Sequence, residues 1–531
     1  MMAVNSWKLS LLSGLAGLCF APIFAQSQTL TFLPKTDYPA QGSRPFAVAV
    51  GDLNGDTYPD IISVNTNSGN INVFLNNGTA AAGTFAGAES YSIGNSPRSL
   101  IIADLNGDTH LDVAVANNAT STVAVRFGNG NGTFQASVVY AVGLSPTAIA
   151  VGDVDNDGFL DLVTVGGLAG GTGTRSVLLN NGIGTFATAS NSTIDPGTGL
   201  VLADFDGDNK LDIAFTTTTF NRISVGKGLG NGAFDPMPAL PLPTGGALGI
   251  RAADVDGDQI LDLLTANTGN GLIGTSSYRK GDGTAAFSNE GDTLLGFIPV
   301  ALALTDLDGD GFSDVIFANN NGGKLSLGRG VGNGTFQPLQ DFATGTQPNG
   351  IAIADVNRDG KSDLIAANFG SNSISVLINT TPVAGYSVSG RVLLEQTASA
   401  AVPLNFTFTP QDGSTIFTRT VTPAANGDYT LTVIPLKLYT VGIKGAKWLR
   451  SILVADTTTG NVTGLNATLR GGDANDDNAI DISDLLLLIA HYNQQQGTGG
   501  YLETADFNSD GSCDISDLLL LIGNYNSIGS P

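Results

Sequence analysis

Asp306-Leu-Asp-Gly-Asp-Gly-Phe-Ser-Asp314 carries carboxylates at positions one, three, five and nine, with glycines between them. A tight loop of that spacing turns its odd-numbered oxygens inward, and the backbone carbonyl at position seven can join them. Hard oxygen ligands in such number suit Ca²⁺, which accepts roughly six to eight of them at loose geometry. Without a cation the loop is strained, because two like charges about 4 Å apart repel by about 4 kcal/mol even at an effective dielectric of about 20.

The loop recurs at Asp52, Asp104, Asp153, Asp204, Asp254, Asp306 and Asp355, at intervals of 49 to 52 residues. A period of that size points to a repeat architecture. Turn chemistry alone accounts for aspartate in one hairpin, but seven copies in register favour calcium. Each repeat follows one plan. An apolar run such as Phe46-Ala-Val-Ala-Val50 enters the loop, and Pro59-Asp-Ile-Ile-Ser-Val64 leaves it. A third run, Asn70-Ile-Asn-Val-Phe-Leu75, follows a turn; then come Gly-Thr-Phe and a more polar fourth run with an aromatic. Short β-branched runs punctuated by Gly and Asn are strands joined by hairpins, and four per repeat make a propeller blade.

The ends of the array supply a second test. The seventh repeat stops at Leu377-Ile-Asn379 without a Gly-Thr-Phe strand, whereas Leu30-Thr-Phe-Leu-Pro-Lys-Thr-Asp-Tyr38 matches Gly83-Thr-Phe-Ala-Gly-Ala-Glu-Ser-Tyr91. The N-terminal strand is therefore expected to complete the last blade, closing a seven-bladed ring and removing its open edges.

These residues resemble the FG-GAP or VCBS repeats that form the propeller head of integrin alpha chains, over about residues 29–382. The resemblance implies one calcium ion per loop, between the first two strands of each blade. Its ligands would be Asp52, Asn54, Asp56, the Tyr58 carbonyl and Asp60 in the first loop, and Asp104, Asn106, Asp108, the His110 carbonyl and Asp112 in the second. The third and fourth loops would use Asp153, Asp155, Asp157, Phe159 and Asp161, and Asp204, Asp206, Asp208, Lys210 and Asp212. The fifth and sixth would use Asp254, Asp256, Asp258, Ile260 and Asp262, and Asp306, Asp308, Asp310, Phe312 and Asp314. The seventh would use Asp355, Asn357, Asp359, Lys361 and Asp363, with position seven always giving its backbone carbonyl. Position six is glycine only at Gly158, Gly311 and Gly360; Thr57 and Thr109 tolerate a left-handed turn poorly, so weaker binding is expected in the first two loops.

Composition sets the limits. The chain has 531 residues, 70 glycines, 13% charged residues and 42% apolar residues, a turn-rich β composition and not a disordered one. The formal charge of −24 is concentrated in the loops, and bound Ca²⁺ would neutralise most of it. The 23 Lys and Arg form no basic patch, which argues against nucleic acid. Lys8, the apolar run Leu9 to Phe24 and Ala25 read as a secretory signal over residues 1–25, and no later run is long enough for a membrane span. A secreted or cell-surface location follows. Cys19 lies in that signal, so Cys513 is left without a disulfide partner.

Residues 384–470 lack the loop and read as a small β-sandwich, with runs such as Tyr386-Ser-Val-Ser-Gly-Arg-Val-Leu-Leu394 and an Asn426-Gly427 hairpin. This segment is similar to carboxypeptidase-regulatory modules, and Trp448 belongs in its core. Beyond it, Asp473, Asn475, Asp477, Asp481 and Asp484 stand at positions 1, 3, 5, 9 and 12 of one loop, and Asp506, Asn508, Asp510, Asp514 and Asp517 repeat them. Each loop runs into a helix, Leu485-Leu-Leu-Leu-Ile489 or Leu518-Leu-Leu-Leu-Ile522. Residues 471–528 resemble a type I dockerin, a pair of F-hand calcium loops, with the Ala479 and Ser512 carbonyls completing the two sites. That brings the expected total to as many as nine Ca²⁺. Helical spacing assigns Leu485, Leu488, Ile489 and Tyr492, with Leu518, Leu521, Ile522 and Tyr525, to the helix–helix contact.

The fold expected is thus mainly β: a seven-bladed β-propeller, a β-sandwich and a small α-helical dockerin. The resemblance implies a cohesin-like domain or surface protein as partner of the dockerin, and an extracellular protein or glycan on the propeller, as in cell adhesion. His110 and His491 build no catalytic set, and no acid–base pair stands apart from the loops. No catalytic residue is assigned; a polysaccharide-degrading subunit is the alternative. Asn65, Asn117, Asn267, Asn319 and Asn368, thirteen residues after their loop starts, are read as turn residues, with a ligand-reading ring of amides as the other possibility.

Overall fold

The second strand of each repeat decides the architecture. Asp60–Asn65, Asp112–Asn117, Asp212–Thr217, Asp262–Asn267, Asp314–Asn319 and Asp363–Asn368 are buried at every residue. A strand reads as a continuous apolar run when both faces of its sheet are covered. Here the covers are the neighbouring sheets. In the computed structural model the described residues are 29–531 without 169, 218, 243–244, 270–272, 296, 383–385, 395–402, 412–415, 425, 435–437, 446–447, 458–461, 476, 497–500, 508–511, 526 and 529–531. The expected signal, residues 1–25, lies outside them, as do Asn508 and Asp510.

The first sheet runs Pro45–Gly51, Asp60–Asn65, Asn70–Phe74 and Glu89–Ser92 in order, all antiparallel, and its fourth strand is largely exposed. Six further sheets repeat the arrangement, the fourth with an added two-residue strand, Leu240–Pro241. First strands of successive sheets pack side by side, and Pro45–Gly51 packs against Pro348–Ala354 of the last sheet, so the array returns on itself. Each first strand begins with a register shift, between Pro45 and Ala47 in the first sheet. Proline fits there because it gives no N–H to the ladder.

The last sheet takes its outer strand from the N-terminus. Thr36–Pro39 pairs antiparallel with Ser373–Leu377, Thr36 opposite Val376 and Pro39 opposite Ser373. Phe32 bridges to Asn379 as Phe134 does to Gly128 and Phe186 to Asn180. The Asn76 amide donates to the Val356 carbonyl at 2.8 Å, tying the first sheet to the last.

After the propeller-like array, a four-stranded sheet (Phe417–Val421, Leu404–Pro410, Leu438–Gly445, Trp448–Asp456) faces a three-stranded one (Asp428–Ile434, Tyr386–Leu394, Ala467–Leu469). Phe406, Phe408, Tyr439 and Trp448 fill the space between them. Helices Ile482–Ala490 and Ile515–Asn524 follow. Both start from an aspartate N-cap, Asp481 or Asp514, reciprocated by Asp484 or Asp517 three residues on, a capping box in each case.

Candidate metal centres

Each nine-residue loop joins the first two strands of its sheet, and in every copy the position-one carboxylate accepts from the position-six N–H. The position-one carboxylate gathers the loop's own backbone: Asp52 accepts from the N–H groups of Gly55 (2.7 Å), Asp56 (3.2 Å) and Thr57 (2.7 Å). Position six is left-handed in every loop, whatever its side chain: φ is +91° at Gly158 but also +72° at Thr57, +73° at Thr109 and +68° at Gln259. The threonines accept the strain that the sequence made doubtful.

Position nine has a second role that its acidity alone did not announce. Asp60 accepts from the Leu53 N–H at 2.9 Å with one oxygen and from the Asn76 N–H at 2.7 Å with the other, stapling the loop to the end of the third strand. Asp112 does the same to Leu105 and Gly128, Asp161 to Val154 and Asn180, and Asp314 to Leu307 and Gly330. Asp212, Asp262 and Asp363 repeat it. These carboxylates are buried. Burial, opposed by the two N–H bonds and assisted by the other loop carboxylates, raises Asp60, Asp112, Asp161 and Asp363 to about 6 and Asp314 to about 8.

The loops fit a divalent cation. Positions one, three and nine converge, with one oxygen from each within 4.8 Å of the others, in Asp153/Asp155/Asp161, Asp204/Asp206/Asp212, Asp254/Asp256/Asp262 and Asp306/Asp308/Asp314. Asp155 Oδ1 and Asp256 Oδ1 are buried with no hydrogen-bond partner, which costs free energy unless a cation compensates. Position five is turned instead toward position seven, Asp157 accepting from the Phe159 N–H at 2.9 Å. In the first, second and seventh loops position three is an amide that donates to position five, as Asn54 does to Asp56 at 3.2 Å.

Basic side chains reach three of the loops from the end of the third strand. Lys227 pairs with Asp206 and, at 3.4 Å, with Asp208; Lys280 pairs with Asp256 and, at 2.8 Å, with Asp258. Arg329, buried, pairs with Asp308 and, at 3.1 Å, with Asp310. The position-seven Lys210 also lies 3.3 Å from Asp208.

The two C-terminal loops share another plan. Asp473 accepts from Asp477 and Asn478 N–H groups at 3.1 Å each, and the position-twelve Asp484 accepts from Ala474 (2.7 Å) and Asp481 (2.9 Å), closing the loop over its start. Asp517 repeats this with Phe507 and Asp514. Asn478 is left-handed, φ +68°, where the pattern calls for glycine. Lys444 of the sandwich donates to Asp473 at 2.6 Å.

The FG-GAP-like repeat family matches residues 52–115, 104–164, 204–265 and 306–366, stretches that contain all seven nine-residue loops, and the type I dockerin family matches residues 471–525. The chain carries FG-GAP-like repeats and a type I dockerin domain. No curated protein matches it. Among solved structures, BBS1N in complex with ARL6DN is 12% identical, covering 66% of this chain and 99% of that one at a TM-score of 0.47. A type II cohesin–X-dockerin complex from Acetivibrio cellulolyticus is 20% identical, covering 27% of this chain and 97% of that one at 0.23. An Agrocybe aegerita lectin that recognises non-reducing terminal N-acetylglucosamine is 18% identical, covering 61% and 86% at 0.38.

Within the dockerin, Leu488, Leu520 and Leu521 are buried with Ile480, Phe507, Cys513 and the sandwich residue Leu449. The helix faces expected from i, i+3, i+4, i+7 spacing need correction. Ile489 and Ile522 are each 59% exposed and do not face the partner helix, whereas Leu487 and Leu520 turn inward. The outer face of each helix is Ile482, Leu486 and Ile489, or Ile515, Leu519 and Ile522. Cys513 is buried; its backbone pairs with Gln494, and that of Ile480 with Ser527. The ring of amides also fails as an exposed site: Asn65, Asn117, Asn267, Asn319 and Asn368 are all buried, and Asn267 donates to Thr275 and Ser277.

Proposed function

We propose that the chain is a secreted calcium-binding propeller that recognises an extracellular protein or glycan, and that its dockerin assembles it onto a cohesin module. The observation that carries the docking half is the pair of apolar stripes. Ile482, Leu486, Ile489, Ile515, Leu519 and Ile522 are all more than half exposed, on two helices of nearly the same sequence, and water is a poor cover for them. The remaining leucines already meet the needs of the dockerin core and of its contact with the sandwich, so these six are surplus to internal packing. Because the stripes repeat, the dockerin presents two equivalent faces.

The calcium half rests on convergent carboxylates with unsatisfied buried oxygens, and on the two helix-entry loops with oxygen at positions 1, 3, 5, 9 and 12. Binding is the role favoured over catalysis, since the acidic groups are spent on loop geometry and strand staples. The test is calorimetric titration of the full chain with purified type I cohesin modules in calcium. Micromolar or tighter binding, lost in Leu486→Asp/Leu519→Asp, is expected; a panel of cohesins giving no heat refutes the docking reading. Incubation with plant and microbial polysaccharides is expected to release no reducing or unsaturated ends, and their release makes the chain an enzyme.

A further inference from the structure

The residue just before the N–H that each position-nine aspartate takes from the third strand has one structural seat in all seven sheets. It is Leu75, Phe127, Leu179, Lys227, Lys280, Arg329 and Ile378 in order. Where this seat is basic, position three is always aspartate: Lys227 with Asp206, Lys280 with Asp256, Arg329 with Asp308. Where position three is an amide (Asn54, Asn106, Asn357), the seat is apolar. The added carboxylate and the added cation thus come together, and counting only the side chains at positions one, three, five and nine and in the seat, six loops reach the same balance of three negative charges; the seventh also carries Arg358 at position four. The third loop alone breaks the rule. It has four carboxylates, Asp153, Asp155, Asp157 and Asp161, with Leu179 in the seat, and Asp155 Oδ1 is buried there without a hydrogen-bond partner.

We propose that Lys227, Lys280 and Arg329 are resident counter-cations that lower the calcium affinity of the fourth, fifth and sixth loops, leaving the 153–161 loop to fill first. This rests on the calcium reading above. A basic group paired to a ligand oxygen repels an incoming Ca²⁺ and must give up part of its ion pair when the metal enters, whereas nothing offsets the four charges at Asp153–Asp161. The same pairs keep the three loops closed in calcium-free protein. Arg329 is the strongest of the three, because it is buried against Asp308 and Asp310, where solvent screens least.

The experiment is calorimetric calcium titration of the folded full chain, its Leu179→Lys variant, and its Lys227→Met/Lys280→Met/Arg329→Met variant. The two dockerin loops are common to all three proteins and cancel in the differences. Leu179→Lys is expected to weaken the tightest propeller site by about tenfold or more, and the triple variant to tighten three sites by at least a similar factor. Lys280→Met alone, at a partly exposed position, is the check if the triple variant does not fold: it is expected to tighten one site. Isotherms unchanged by these substitutions, or weakened by Lys280→Met, overturn the proposal while leaving calcium binding intact. Absence of any calcium heat attributable to the propeller in all the proteins overturns the calcium reading itself.

Discussion

Phe32 and Phe342 meet edge to face with ring centroids 4.9 Å apart and planes at 69°, joining the N-terminal segment to the sixth sheet. The same inter-sheet contact recurs as Tyr38–Phe85, Tyr91–Phe134 and Tyr140–Phe186, at 5.3 to 5.8 Å. The N-terminal strand therefore supplies both halves of the repeating aromatic lock, Phe32 toward the sixth sheet and Tyr38 toward the first. Phe32→Ala is expected to lower stability by about 2 kcal/mol, below the usual range for a fully buried Phe because the ring is half-buried. Tyr38→Ala at the other joint is expected to cost a similar amount, read from denaturant midpoints. A neutral effect of both would mean that the closure contributes no stability.

Much of this was legible beforehand. The period of the loops gave the repeat, and the unmatched strand at each end gave the closure, because hydrophobic patterning and turn chemistry are local signals that seven copies reinforce. The dockerin faces were not legible: Leu485-Leu-Leu-Leu-Ile489 is apolar all round, so spacing alone cannot choose the buried side. The stapling role of Asp60 and its equivalents was hidden for another reason. Their partners lie sixteen residues on, as Asn76 does, or nineteen, as Asn180 does, and a backbone N–H leaves no mark in the sequence. The pairing of Asp206, Asp256 and Asp308 with a basic third-strand residue was present in the sequence but out of register, since Lys280 stands three residues further from its position-nine aspartate than Lys227 and Arg329 do from theirs.

Position nine and position three are expected to separate under mutation. Asp112→Ala leaves the buried Leu105 and Gly128 N–H groups without acceptors, at about 3 kcal/mol or more for the two. That loss is expected with calcium and with chelator alike. Asn106→Ala, which removes only exposed hydrogen bonds to Asp108 within the same loop, is expected to cost less in chelator and to reduce stabilisation by calcium. Thermal unfolding under both conditions decides; equal losses for the two variants would remove the distinction.

The raised carboxylates fix the sign of a pH effect. Asp60, Asp112, Asp161 and Asp363 at about 6, and Asp314 at about 8, hold their protons more tightly in the folded chain than the usual 3.8. Their stabilising contribution is fully present below the ordinary carboxylate pKa and is lost as pH rises through about 6 and then about 8. Calcium-free protein is therefore expected to melt at a lower temperature at pH 8 than at pH 5. On the calcium reading the ion would bind the deprotonated loops, so the rise in Tm that it produces is expected to be larger at pH 8. A calcium increment independent of pH refutes the assignment.

Thr57 and Thr109 offer a stabilisation. A β-branched residue at φ +72° or +73° is strained by about 1 kcal/mol relative to glycine. Thr57→Gly and Thr109→Gly are each expected to raise stability by about 0.5 kcal/mol after the added freedom of the unfolded chain is subtracted. The check is the denaturation midpoint in calcium, which on the calcium reading would hold the loops in one geometry. Loss of stability in both would show that the threonine side chains contribute more than the backbone strain costs.

The junction between sandwich and dockerin turns on one ion pair. Lys444 Nζ lies 2.6 Å from Asp473 Oδ2, whose side chain is fully buried, and donates as well to the Trp448 carbonyl at 2.8 Å. Nearby, the Arg450 N–H donates to Asn478 at 2.7 Å and Leu449 enters the dockerin core. Lys444→Met keeps the length of the side chain and removes its charge, stranding the Asp473 carboxylate when no metal is present. Breaking a buried pair from one side costs about 3–5 kcal/mol, and the partial exposure of Lys444 puts the expected loss nearer about 2. Calcium in the 473–484 loop would take over the neutralisation, so the loss is expected in chelator and to shrink in millimolar calcium. Hydrogen exchange of the Leu449 and Ala474 amides in full-length protein reads this locally: both lie at the junction, and both are expected to exchange faster in the variant without calcium only. Acceleration that persists unchanged in saturating calcium would show that Lys444 holds the junction by packing and not by charge.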